Sequence, residues 1–215
     1  MINLTLVGLG LLVHFVFAIV KTVLIKYDFI EANGHPTAVF VRTSSSLYKL
    51  SIVFLLSVII YPLMEELSFR LILNTNRIKT YFGIGFLTTF LFLIFSRIDQ
   101  KAPINSEVAY NLYFIIISLI IAVIIKIAAE KFNIDVRKGI SKYLPFFIFF
   151  SSVLFAIAHF NVVSHPHHLI LYIPILFPYA VMGYILSYAR LSMGFFYCVL
   201  CHSINNFFMF MMNLI

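Results

Sequence analysis

Long apolar runs alternate with short polar segments along almost the whole chain. About seven runs can cross a hydrocarbon core of ~30 Å, and they lie near 3–25, 48–74, 81–97, 108–129, 144–163, 168–189 and 191–213. These runs exceed the ~10-residue strands of membrane barrels, and an isolated span must satisfy its own backbone hydrogen bonds. We therefore predict an all-α fold, a polytopic membrane helical bundle of about seven transmembrane helices (range six to eight) in a single domain over residues 1–215.

Composition and charge support a membrane protein. The chain is 62% hydrophobic and 11% charged, whereas soluble domains carry about 25% charged residues. The net charge is +7, but the basic residues lie mostly between the runs and not on one amphipathic face, which disfavours nucleic-acid binding. Alternate loops hold five and eight basic residues, so the positive-inside rule predicts a cytoplasmic N-terminus.

Ionisable side chains in the second run are costly, since each one raises the insertion free energy by roughly 2.5–3.5 kcal/mol at the bilayer centre. Glu66 and Arg70 lie four residues apart and can pair on one helix face, whereas Glu65 points about 100° away. Glu65 is therefore a candidate general base, and a structural ion pair with a water-facing Glu65 is the alternative. Because Pro62 cannot donate a backbone hydrogen bond, we expect an unpaired Val58 carbonyl and a bend before the pair.

Two further polar clusters lie in the fifth and seventh runs. Phe155 and His159 share a helix face, so the phenyl ring could wall the imidazole. His202 and Asn206 also share a face, and two such hydrogen-bond donors could form an oxyanion hole. The alternatives are an interfacial histidine at position 159 and helix-to-helix hydrogen bonds by the second pair.

Cysteines and other histidines suggest two sites that we disfavour. Cys198, Cys201 and His202 spell C-x-x-C-H, the c-type haem attachment signature, but the thiols lie within a continuous apolar helix, where we expect two small buried cysteines. A dense group of histidines lies in the short loop between the fifth and sixth runs, where interfacial side chains are favoured over a metal site. These residues are His165, His167 and His168.

The three clusters fall at a similar depth in the predicted orientation. At ~1.5 Å per helical residue, the four candidate side chains lie about 15 to 22 Å from the cytoplasmic end of their runs, near mid-bilayer. These candidates are Glu65, His159, His202 and Asn206. One carboxylate, two imidazoles and one amide around a cavity could hydrolyse an amide bond. A glutamate and two histidines also match zinc ligand types, although no one-helix H-E-x-x-H arrangement is present.

The clusters resemble the three motifs of the CPBP intramembrane proteases, a family that includes type II CAAX prenyl endopeptidases and bacteriocin-processing or immunity-related (Abi) proteins. The family pattern is E-E-x-x-x-R, then F-x-x-x-H, then H-x-x-x-N or a similar final residue. It reads here as motif one, Glu65-Glu66-x-x-x-Arg70, motif two, Phe155-x-x-x-His159, and motif three, His202-x-x-x-Asn206. The resemblance covers a motif-bearing core of about residues 48–74 and 144–210.

The resemblance implies an intramembrane endopeptidase in which Glu65 and His159 activate the attacking water. His202 and Asn206 would form the oxyanion hole. The supporting residues would be Glu66, Arg70 and Phe155. Similarity to the prenyl-protease branch implies a mechanism without metal, and a zinc ion held by Glu65, His159 and His202 is the alternative.

The same resemblance implies the lipid bilayer and a membrane-anchored or apolar peptide as partners. The peptide would be of the prenylated CAAX type or of the leader or pheromone type. We expect the protein in the cell membrane of a prokaryote. Two departures stand out: 94 residues and two extra apolar runs separate Glu65 from His159, and Leu71 replaces a glycine common in the family. The extra runs preserve helix direction and affect the expected substrate entrance more than the chemistry.

Two functions of other classes are alternatives. A small transporter would use the intramembrane charges to line a solute path, but it predicts inverted repeats and broken helices, and the sequence shows neither. A non-catalytic immunity or regulatory membrane protein would not need the complete set of motifs.

Overall fold

All seven apolar runs contain helix in the computed structural model, which describes residues 4–26, 47–73, 76–96, 104–159, 170 and 172–214. The helices are α1 (Leu4–Lys26), α2 (Leu47–Leu55), α3 (Tyr61–Phe69), α4 (Arg77–Ser96), α5 (Ile104–Lys131), α6 (Val136–Lys142), α7 (Leu144–Ala158), α8 (Tyr172–Met193) and α9 (Phe195–Leu214). A π-helical turn (Leu56–Ile60) joins α2 to α3, and a 3-10 turn (Leu71–Leu73) follows α3. The described residues contain no strand, which confirms the all-α prediction.

Four segments in these ranges are long and apolar enough to cross a membrane, and they are Leu50–Phe69, Tyr113–Lys131, Tyr172–Met193 and Phe195–Met212. Helices α6 and α7 make a fifth when counted together, but they are bent by 89°. The bend lies at the beginning of the apolar run 144–163 and not inside it. The helix before the bend, α6, is short and basic. The helical membrane bundle is confirmed, and the total of about seven spans stays a prediction.

The helices divide into two compact units. The first unit contains Met1–Met64 and Ser152–Ile215, and the second contains Glu65–Ser151. The boundaries therefore fall inside α3 and α7. The two extra runs between motifs one and two, now α4 and α5, belong to the second unit. The single domain stays a prediction.

In the first unit, α1 packs against α8 and α9. Val58 and Phe210 form a buried contact between the π-helical turn and α9, and the Phe54 ring meets the Phe210 ring edge-on at 5.3 Å between centroids. Gly194 alone separates α8 from α9, with a φ of +95° that L side chains rarely adopt. This one-residue turn brings the two helices side by side.

In the second unit, small residues allow α4 to approach its neighbours closely. A Cβ at Gly85 would overlap the Ser118 carbonyl of α5, and a Cβ at Gly83 would overlap the backbone of the 3-10 turn at Ile72. Aromatic rings fill the space around these contacts. The Phe86 and Phe114 centroids, for example, lie 5.6 Å apart.

The end of α3 is tied to α7 by a side chain. Leu73 N–H donates to the Arg70 carbonyl at 3.1 Å, three residues back, so the Phe69 carbonyl loses the donor that an α-helix would supply. The Ser151 hydroxyl donates to this carbonyl at 2.8 Å, and the bond is buried. A side chain 82 residues later thus satisfies the end of this helix.

Replacing Gly83 by alanine should lower the thermal unfolding midpoint in detergent. The added methyl group would meet backbone atoms of Ile72, so a helix must shift at a cost of about 1–3 kcal/mol. Gly139→Ala in α6 is the matched control, because no atom lies within 4 Å of its added Cβ. There alanine should add about 1 kcal/mol of helix propensity. Equal midpoints for the two variants would contradict the close packing of α4.

Candidate functional site

The helix before motif one leaves the α-helical register. Tyr61 N–H donates to the Leu56 carbonyl, five residues earlier, which is the π-helical bond. Continued by one residue, this register would pair the N–H of residue 62 with the Ser57 carbonyl. Residue 62 is Pro62, which has no N–H. The backbone therefore supplies no π-register donor for Ser57.

Asn206 of motif three supplies that donor. Its side-chain nitrogen Nδ2 donates to the Ser57 carbonyl oxygen at 3.0 Å, across 149 residues of sequence. Counting four residues back from Pro62, as in an α-helix, predicted an unpaired carbonyl at Val58. The carbonyl that accepts from Asn206 is one residue earlier, at Ser57, next to the π-helical bond of Leu56, and the unpaired carbonyl at Val58 stays a prediction.

Motifs two and three meet in the first unit around one phenyl ring. The Phe155 centroid lies 4.7 Å from the His159 ring and 5.7 Å from the His202 ring. Tyr179 of α8 stacks on the other side of His159, with centroids 4.4 Å apart and planes at 24°. Four rings thus form a row in the order Tyr179, His159, Phe155, His202. The predicted contact between Phe155 and His159 is present.

A hydrogen bond to the backbone indicates which nitrogen of His159 carries a proton. Nδ1 lies 2.8 Å from the Phe155 carbonyl oxygen, which can only accept a hydrogen bond. In the neutral ring, the proton is therefore on Nδ1 and the lone pair is on Nε2. The imidazole is half-buried just after the end of α7, where the backbone N–H of His159 donates to the Ala156 carbonyl at 3.0 Å.

Sequence reasoning missed Tyr179 and Ser57. Tyr179 follows Pro178 in an apolar run and shows no polar pattern, so only the fold reveals its stacking on His159. Ser57 contributes a backbone carbonyl, which no side-chain pattern marks. A count of five residues back from Pro62 would have found it, but nothing in the sequence shows that the helix adopts a π register.

Motif one contains a buried ion pair in the second unit. Arg70 Nη1 lies 3.4 Å from Glu66 Oε1, and both side chains are 0% exposed, as the four-residue spacing predicted. The guanidinium also lies 5.5 Å from the centre of the Phe69 ring. Glu65, one position earlier on α3, is half-buried, with its Oε2 atom buried. That Glu65 converges with the two histidines stays a prediction.

The remaining candidate sites give no ligand set. Within the residues described, no three His, Cys, Asp or Glu side chains form a group that could hold a metal ion. Cys198 and Cys201 are buried as predicted and are not joined in a disulfide, and the Cys198 thiol donates to the Leu186 carbonyl at 3.1 Å. The loop histidines lie outside the described residues, and they are His165, His167 and His168.

Removal of Glu66 should destabilise the protein strongly. Glu66→Ala removes the carboxylate that pairs with the buried Arg70 guanidinium, and breaking a buried ion pair typically costs about 3–5 kcal/mol. The matched control is Glu130→Ala, which breaks the i,i+4 pair with Lys126, whose side chains are 47% and 54% exposed. That change should cost no more than about 1 kcal/mol. Equal losses of unfolding free energy in detergent would show that the buried pair does not stabilise the fold.

Comparison with known proteins identifies the family of this chain. A model described as Type II CAAX prenyl endopeptidase Rce1-like matches residues 47–208, about three quarters of the chain, and this range contains all three motifs. No curated protein and no solved structure matches the chain significantly. The resemblance to the CPBP proteases, which the motifs indicated, is confirmed. The chain therefore belongs to the type II CAAX prenyl endopeptidase Rce1-like family and is an integral-membrane protease.

Proposed function

We propose that this protein hydrolyses a peptide bond in a membrane-anchored or apolar peptide, with a water molecule activated by Glu65 and His159. His202 and Asn206 stabilise the oxyanion that forms on the scissile carbonyl. The observation that carries the proposal is the meeting of the two histidines around Phe155, because it joins motifs that lie 43 residues apart in the sequence.

The reaction is an ordinary hydrolysis. Glu65 takes a proton from water as the water oxygen bonds to the carbonyl carbon, and the carbonyl oxygen becomes negative. Collapse of this tetrahedral intermediate breaks the carbon–nitrogen bond, and the proton held by Glu65 passes to the leaving amine. The products are a carboxylic acid and an amine, so no other reactant is needed.

The tautomer of His159 suits it to orient the water. Since Nδ1–H points to the Phe155 carbonyl, Nε2 can accept a hydrogen bond from the water that Glu65 deprotonates. The two flanking rings, Phe155 and Tyr179, hold the imidazole plane. A water held by two acceptors is directed to attack along one line.

We assign the base to Glu65 and not to Glu66, because Glu66 is fully buried in the ion pair with Arg70. The burial of its Oε2 atom supports a site that excludes bulk water. Glu66 and Arg70 brace the helix that carries the base. We propose a mechanism without metal, and zinc bound by Glu65, His159 and His202 is the alternative.

The oxyanion hole uses two donors from α9. His202 is buried against Phe155, and Asn206 lies one helical turn further along the same face. Both side chains can direct an N–H to one point, and a low-dielectric site strengthens such bonds. We propose a peptide substrate of the prenylated CAAX type, with leader or pheromone peptides as the other class.

Glu65→Ala should lower kcat for peptide cleavage by at least about a hundredfold, because a general base contributes about 10²–10⁴ to rate. Purified protein would be assayed on a fluorogenic farnesylated CAAX peptide and on an unprenylated apolar peptide. Full activity of a folded Glu65→Ala variant would show that another group is the base.

The same assay with a chelator separates the two mechanisms. Chelator-resistant cleavage that requires Glu65 is expected. Chelator-sensitive cleavage that zinc restores would place Glu65 and the two histidines in a metal shell. A preference for the farnesylated peptide would identify the substrate class.

Loss of the ring at position 179 should slow cleavage. Tyr179→Leu removes the stack on His159 and should lower kcat by about threefold to tenfold, in line with the worth of one aromatic pair. Tyr179→Phe keeps the ring and is the matched control, with kcat within about twofold of the original protein. If phenylalanine lowers kcat as much as leucine does, the hydroxyl and not the stacked ring is responsible.

A further inference from the structure

We propose that Pro62 is a positioning residue for the reaction, and that it fixes the side-chain amide of Asn206 by leaving the Ser57 carbonyl as its acceptor. This inference rests on the proposed function, in which Asn206 donates to the oxyanion. The π-helical register, the missing N–H and the 3.0 Å bond from Asn206 together carry it.

The acceptor is created by two features that must coincide. The π-helical bond from Tyr61 N–H to the Leu56 carbonyl takes away the α-helical donor of the Ser57 carbonyl, and proline at position 62 cannot supply the N–H that would continue the π register. Pro62 is fully buried, so water cannot replace the missing bond. An unsatisfied carbonyl in an apolar environment costs several kcal/mol, and Asn206 relieves that cost.

The bond decides which end of the amide faces the substrate. A carbonyl only accepts, so Nδ2 of Asn206 and not Oδ1 must face Ser57. The amide nitrogen carries two hydrogens, of which one is donated to Ser57 and the other can be donated to the oxyanion. A flipped amide would present Oδ1 to a negative oxygen and would repel it. The Ser57 carbonyl thus makes Asn206 a donor in advance of the reaction.

A residue with an N–H at position 62 would compete for this arrangement. In the π register, the new N–H of a Pro62→Ala variant would donate to the Ser57 carbonyl and would displace Asn206. If the helix returned to the α register, this N–H would donate to the Val58 carbonyl. The N–H of Tyr61 would then donate to the Ser57 carbonyl in place of Asn206. In both cases Asn206 loses its acceptor and its fixed orientation.

The kinetic test is a double-mutant cycle. Pro62→Ala should lower kcat by about tenfold, because an oxyanion donor is misoriented and not removed, with KM within about twofold. In the Asn206→Ala background the same change should alter kcat by less than about twofold, since the residue it positions is gone. Full tenfold effects in both backgrounds would overturn the proposal, because they would assign Pro62 a general structural role.

Pro145→Ala is the matched control. Pro145 lies in the first turn of α7, where a missing N–H opens no acceptor inside the helix. Its kcat should be unchanged. Pro62→Ser also restores the N–H and should lower kcat by the same factor of about ten, so it replaces Pro62→Ala in the test if the alanine protein does not fold.

A spectroscopic readout keeps the inference independent of activity. In protein labelled with ¹⁵N-asparagine, the side-chain signals missing from Asn206→Ala belong to Asn206. Pro62→Ala should shift them, and Pro145→Ala should not. Wild-type protein that cleaves no peptide would refute the proposed function, while the Asn206 signals would still test the link to Pro62. Unshifted signals and unchanged kcat in folded Pro62→Ala would refute the inference alone.

Discussion

Carbonyl oxygens inside a membrane must receive hydrogen bonds from the protein itself, because hydrocarbon offers no donor. The helical segment 47–73 departs from the α register at two places, and each departure leaves a carbonyl to be satisfied. Asn206 donates to the first, at Ser57, and Ser151 donates to the second, at Phe69. Glu65 and Glu66 of motif one lie between Ser57 and Phe69 in the sequence. The helix that carries Glu65 is therefore held through its own backbone before and after these two glutamates.

Several polar side chains in the spans have a structural role, because they satisfy backbone carbonyls or buried charges. Ser151 satisfies a helix end, and the Cys198 thiol donates to a carbonyl in α8. Glu66 neutralises Arg70. Asn206 combines both kinds of role in the proposed mechanism, since one hydrogen of its amide holds a helix and the other is directed at the reaction.

Much of the fold and of the site could be predicted from local patterns. The apolar runs mark the helices, because a chain in lipid has almost no other way to satisfy its backbone. Four-residue spacing within a helix predicted the Glu66–Arg70 pair and the Phe155–His159 contact. Both depend only on helical geometry, which the sequence specifies.

Contacts between helices could not be predicted in the same way. The stacking of Tyr179 on His159 depends on how α8 packs beside motif two, and no spacing within one run encodes it. The bond at the Ser57 carbonyl depends on a π register that proline permits but does not require. The division into two compact units is likewise a property of packing, since the extra runs resemble the others in composition.

The long separation between donor and acceptor has a consequence for biosynthesis. Ser57 is made 149 residues before Asn206, and Phe69 is made 82 residues before Ser151. A helix that enters the bilayer during translation therefore carries two carbonyls whose donors have not yet been synthesised. Their burial in hydrocarbon would cost several kcal/mol each, so this helix gains its full membrane stability only after α7 and α9 insert beside it. A chain truncated before α9 should leave its first motif helix exposed to membrane quality control.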